Sequence, residues 1–198
     1  MLLGEIAEIK TGMVLTRKKA EFPKDVKATY RLITLKNITE NGILNDEPFE
    51  EFQSNDVLNP QHFTGNGDVL IRLSFPHTAI HINEAMTGLL VPSYFAIIKV
   101  DSHKFLPEYI AWYLNTDEVK KELERSQAGT RIPSTNKTAL SAIPIEGIPL
   151  TKQQAIVNLY NLHQKEKLLY SQLIEEKEKW FTALTKKMIK GEMKEDIS

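Results

Sequence analysis

Thr151 to about Lys190 reads as one unbroken, highly charged helix, TKQQAIVNLYNLHQKEKLLYSQLIEEKEKWFTALTKKMIK, with neither Pro nor Gly before Gly191. At about 1.5 Å of rise per residue, forty residues make a rod of about 60 Å. Globular helices are usually a third of that length, so such a rod cannot simply pack into its own domain. Ile156, Leu159, Leu162, Leu169, Leu173, Trp180, Leu184 and Met188 recur at steps of three, four and seven, and so form one apolar stripe. No second helix of that length lies upstream. The stripe therefore predicts pairing with another chain, a second copy of this one being the simplest recipient. The boundary between the domain and the helix is placed at 150/151, with Thr151 as N-cap and Gln154 completing a capping box.

The preceding 150 residues read as a separate, β-rich domain. The segment 2–9 (LLGEIAEI) has helical spacing and ends at Thr11-Gly12, and 13–29 is a polar, basic loop. Tyr30–Ile38 alternates with apolar groups on both faces, which predicts a strand buried on both sides. Asn41-Gly42 and Asn59-Pro60 signal turns. Further strands are expected at 49–52, 69–73, 78–82, 88–91 and 94–100, with Pro76 leaving the sheet. Helices are expected from Leu106-Pro107-Glu108, over 117–126 and near 138–143, with a polar loop at 131–137. The fold class is α+β: a β-rich domain with flanking helices, then one long coiled-coil helix.

Composition removes several classes of function. No apolar run is long enough to span a membrane, and the N-terminus does not read as a signal peptide, so a cytoplasmic location is expected. The chain has no cysteine, which excludes disulfides and thiolate chemistry. No phosphate-cradling glycine loop, GxSxG or HExxH is present, and the five histidines lack zinc-site spacing. His77 and His81 would share a face of a strand, a weak metal motif. Asn59-Pro60-Gln61-His62 is similar to the Asn-Pro-Pro-aromatic loop of amino-methyltransferases, but it lacks the second Pro and the aromatic and is taken as a turn. Glu175, Glu176, Lys177, Glu178 and Lys179 form the solvated face of the long helix. Trp112 reads as core and Trp180 as helix interface. No catalytic centre, metal or cofactor is expected.

Net charge is −1, yet between Lys10 and Lys36 eight cations face only Glu21 and Asp25. A solvated surface or a phosphate-facing surface would both carry this pattern.

The ordered set LGEIAEIKTG, a basic loop, YRLITLKNITENG, GDVLIRL, VPSYFAIIKVD and LPEYIAWYLNTDEVKKELERSQAGTRIPSTNKTALSAIPIEGIPLTKQQAIV, feeding a long helix, resembles the DNA specificity subunits of type I restriction–modification systems. The resemblance covers nearly the whole chain, and the segment from Gly129 to Gln154 is its most diagnostic part. It implies a target recognition domain at 1–150 that reads one half of a split site in double-stranded DNA, with 151–198 as spacer helix and tail. In that family two such units sit in tandem and their spacers pack antiparallel, fixing the distance between half-sites. This sequence carries one domain and one spacer, so the resemblance implies a homodimer paired through the helix. Methylation and cleavage would belong to modification and restriction subunits as partners.

Arg17, Lys18 and Lys19 suit phosphates. Arg72 ends an apolar strand, where it is either one half of a buried ion pair or a DNA contact. Thr130, Arg131, Ser134, Asn136 and Lys137 suit backbone or base contacts, or else form a surface turn in which Ser134 or Thr135 caps a helix. A scaffold protein docking a partner through the helix, and an inactive recombination-donor fragment, are the alternatives.

Overall fold

A computed structural model describes residues 1–39, 42–45, 47–125 and 134–190. In chain order the elements are α1 (Leu3–Ile6), β1 (Ala7–Thr11), β2 (Ala28–Leu32), β3 (Glu50–Ser54), β4 (Asp68–Arg72), β5 (Ala79–His81), β6 (Phe95–Val100), α2 (Pro107–Leu114), α3 (Asp117–Arg125), α4 (Lys137–Ser141) and α5 (Leu150–Ile189). The architecture is α+β, and it divides into two compact units, 1–157 and 158–198.

In the first unit, an antiparallel sheet in the order β1-β6-β4-β5 forms the centre, and β2 and β3 make a separate antiparallel ribbon. Side-chain alternation divides the core. Ile9, Val69, Ile71, Ala96 and Ile98 face the helices, meeting Tyr109, Ile110, Leu114, Leu140 and Val157. Leu70, Ile80, Phe95 and Ile97 point the other way and pack on Ile33, Ile82, Leu89 and Val91. A strand buried on both faces reads as an apolar run, as VLIRL does.

Several elements differ from the sequence reading. The helix expected over 2–9 stops after one turn, because Ala7–Thr11 pairs with all five partners Ala96–Val100 of β6. Gly12 is therefore no helix stop. A Cβ there would overlap the Pro92 carbonyl oxygen, so close backbone approach demands glycine. The strand expected at 30–38 ends at Leu32. Thr34 N–H donates to Asn37 Oδ1 (2.8 Å) and closes a tight turn, while Thr29 and Arg31 on β2 stay exposed. The segment 88–91 is not a regular strand; Leu90 makes isolated bridges to Leu32 and Phe63. Asn41 of the expected turn lies outside the described residues, and Gly42 has φ +75°.

α5 begins at Leu150, so Thr151 lies inside the first turn rather than capping it. Lys152 and Gln153 N–H both donate to the Pro149 carbonyl. Gln153 is wholly buried. Its Oε1 accepts from Leu106 N–H (2.8 Å), and its Nε2 donates to the carbonyls of Lys104 (3.0 Å) and Ile148 (2.8 Å). One amide thus joins the first turns of α5 to the approach to α2. Replacing it strands buried backbone groups, at about 1–3 kcal/mol for each unsatisfied one. Gln153→Leu is expected to destabilise the first unit by about 2 kcal/mol or more, lowering the urea midpoint at unchanged slope. An unchanged midpoint would remove this role.

Candidate nucleic-acid interface

The loop from β1 to β2 carries the basic cluster, and backbone pairing holds it in place. Lys18 and Lys19 N–H both donate to the Leu15 carbonyl, Asn55 N–H donates to the Lys18 carbonyl, and Ala20 N–H donates to the Gln53 carbonyl. The Ser54 hydroxyl also donates to the Lys18 carbonyl (3.1 Å). The end of β3 therefore fixes the loop, and Arg17 and Lys19 stay exposed on it.

Around this loop lies a recess of about 800 Å³ in which five cations, Arg17, Lys18, Lys19, Lys24 and Lys27, face three acids, Glu21, Asp25 and Asp56. Lys18 Nζ lies 2.6 Å from Asp56 Oδ2, and this hydrogen bond holds the exposed Asp56 carboxyl below its usual range. Lys24 sits over the Phe22 ring at 5.6 Å. The positive excess rests on Arg17, Lys19 and Lys27, exposed and available to an anion.

The other expected contacts fall in two further places. Arg72 closes β4, half-buried, with Nε donating to Ser74 Oγ (3.0 Å). Ser74 pairs with Ser134, and Thr135 N–H donates to the Leu73 carbonyl (2.7 Å). Ser74 thereby links Arg72 to Ser134, and Phe75, the next residue in the chain, is exposed. Asn136 caps α4, its Oδ1 accepting from Ala139 N–H (3.0 Å). The cap expected of Ser134 or Thr135 is thus made by Asn136, whose acceptor is spent within the chain. Lys137, the first residue of α4, lines a recess with Lys10 and His62. Thr130 and Arg131 lie outside the described residues.

His77 and His81 form no metal pair. His77 is fully buried at φ +53°, and His81 Nε2 lies 3.8 Å from Glu108 Oε1. Burial pushes the His77 imidazole below its usual range, opposed by its hydrogen bond to the Arg72 backbone. Among the described residues no three of His, Asp and Glu converge as metal ligands, and no helix is long and apolar enough to cross a membrane.

In the second unit the stripe stands open: Leu159, Leu162, Leu169, Leu173, Trp180 and Met188 are each at least half exposed. Leu184 is half-buried, and Ile156, in the first unit, packs against the core and is only partly open.

Solved structures share this architecture over most or all of its length. A chain from a structure of complex assembly and conformational transition in the type I R-M system aligns at TM-score 0.70 and 16% identity, covering 100% of this chain and 50% of that one. The HsdS subunit from Thermoanaerobacter tengcongensis aligns at TM-score 0.68 and 17% identity, covering 93% and 46%. The fold is that of a type I specificity subunit. The S subunit from M. genitalium aligns more loosely, at TM-score 0.50 and 11% identity over 94% of this chain and 44% of that one. No family model matches the sequence, and no curated protein matches it. The chain spans about half the length of the specificity-subunit chains it matches. Gln61 and His62 lie in the turn expected after Asn59 and line the Lys137 recess of this fold. Only their neighbours in space, not their spacing, mark them.

Proposed function

We propose that the chain is a DNA specificity subunit of a type I restriction–modification complex. Its β-rich domain reads one half of a split target, and its rod sets the distance to the other half. The reading is carried by the alignment of 93–100% of the chain with about half of such subunits. The basic recess supplies phosphate contacts, which fix register without reading sequence. Modification and restriction subunits do the chemistry, and the chain itself supplies the address.

Two copies pair through the rods. At 3.6 residues per turn, Glu166 and Lys177 fall in the middle of the apolar stripe, so Lys177 departs from the solvated face expected of 175–179. A parallel, in-register pair would set Glu166 against Glu166 and Lys177 against Lys177. An antiparallel pair centred between Ser171 and Gln172 sets Glu166 of each copy against Lys177 of the other. The same register meets Leu169 with Ile174, Tyr170 with Leu173, and Leu162 with Phe181. Opposite charges inside an apolar seam select one register and penalise the others. The two-fold axis of this pair would give an inverted-repeat target with a constant gap.

Charge reversal tests the register. Glu166→Lys alone is expected to weaken self-association at least tenfold, and Glu166→Lys with Lys177→Glu to restore it, by sedimentation equilibrium. Equal weakening in the single and double variants would rule out this register. Duplex binding that is sequence-selective and salt-dependent tests the DNA reading itself; binding indifferent to sequence would oppose it.

A further inference from the structure

The recess around Lys137 is assembled from three separate parts of the chain. Ile9, Lys10 and Thr11 come from β1, Gln61 and His62 from the turn after Asn59, and Lys137 from the start of α4, around a volume of about 290 Å³. β1 is an edge strand of the central sheet among the described residues, so the recess lies at a sheet edge. Strand alternation sends Ile9 into the helix-side core and Lys10 to the opposite face.

The turn that presents Gln61 and His62 is fixed through its backbone. Gln61 N–H donates to Asn59 Oδ1 (3.0 Å), His62 N–H to the Asn59 carbonyl (3.1 Å), and Val91 N–H to the His62 carbonyl (2.9 Å). Their side chains are not spent in this way. Gln61 is exposed and His62 half-exposed, and among the described residues neither side chain hydrogen-bonds within the chain. The held main chain fixes where both side chains are rooted, and their polar groups remain open to a ligand.

The charges name the ligand class. Lys137 is exposed, and among the described residues Lys10 meets Glu8, at 3.0 Å in a solvent-exposed pair that exchanges readily for a phosphate. Two ammonium groups flank an amide that both donates and accepts. That combination matches a phosphodiester backbone beside a base edge, and glutamine pairs in bidentate fashion with adenine N6 and N7. We propose that this recess is a base-reading subsite for duplex DNA, with Lys10 and Lys137 on phosphates and Gln61 on an adenine edge. The proposal rests on the DNA-specificity reading and adds residues to it.

The test uses the intact chain, assembled with its modification subunit, on a randomised duplex pool and in a salt titration. Gln61→Ala is expected to lose preference for adenine at one position of the half-site, by about 5- to 100-fold, with the salt slope unchanged. Lys10→Ala and Lys137→Ala are each expected to lower the slope by about 0.9 and keep the preferred sequence. All three side chains are at least partly exposed, and an unchanged thermal midpoint shows that the variants fold. If the parent selects a sequence and Gln61→Ala selects the same one equally strongly, the subsite is refuted and the DNA reading stands. If the parent selects no sequence at all, both fall.

Discussion

Leu173→Asp is expected to halve the solution mass of the protein, from twice 22.6 kDa to 22.6 kDa, in light scattering at micromolar concentration. Leu173 is half exposed in the single chain and lies next to the centre of the antiparallel register, so the two-fold axis counts its loss twice. Each leucine removed forfeits about 1.5–3 kcal/mol of apolar burial. Each carboxylate put in its place faces Tyr170 of the other copy and must be desolvated as well. Together these exceed about 4 kcal/mol, or about a thousandfold in dissociation constant. The first unit should be untouched, because Leu173 belongs to the second, so its thermal transition keeps its midpoint. A Leu173→Asp protein that keeps the doubled mass would remove the stripe as the pairing surface. The matching truncation belongs after Val157, not after Leu150, because Gln153 and Val157 complete the first unit's core.

The second large effect is on DNA. Replacing Arg17, Lys18 and Lys19 together by Ala is expected to weaken duplex binding on the order of a hundredfold at low salt, equally for all sequences. The salt slope should fall by about 2 to 3, as up to three phosphate contacts release fewer counterions. The three residues do not contribute alike. Lys18 is already held by Asp56 at 2.6 Å, so Arg17 and Lys19 should carry most of the slope. A triple variant with the parent's slope would show that the basic recess faces away from DNA.

The sequence made the rod and the β-rich domain legible, because each depends on periodicity that a chain carries locally. α5 runs within a residue or two of its expected ends, and β4, β5 and β6 lie within a residue or two of theirs. Errors came where long-range pairing overrode a local pattern. Ala7, Glu8 and Ile9 belong to the segment with helical spacing but are drawn into the sheet by β6, a partner almost ninety residues away. Thr34 and Asn37 end β2 by a side-chain bond that alternation does not register. The candidate interface was legible in part. Arg17, Lys18 and Lys19 are adjacent in sequence, so their charge is visible at once. Gln61 and His62 join Lys10 and Lys137 only through folding, and nothing in the string marks them. Asn136 shows the reverse case, since a residue of the right type for base contact is taken by the cap of α4. Gln153 was read past, because a glutamine near a helix start looks like surface until its three backbone partners are seen.

The most direct test of the account is selection from a randomised duplex pool by the intact chain assembled with its modification subunit. A two-headed reader built from two copies of one domain predicts enrichment of one half-site and its inverted repeat at a single fixed gap. Enrichment of a lone half-site, of repeats at variable gaps, or of no sequence would contradict it.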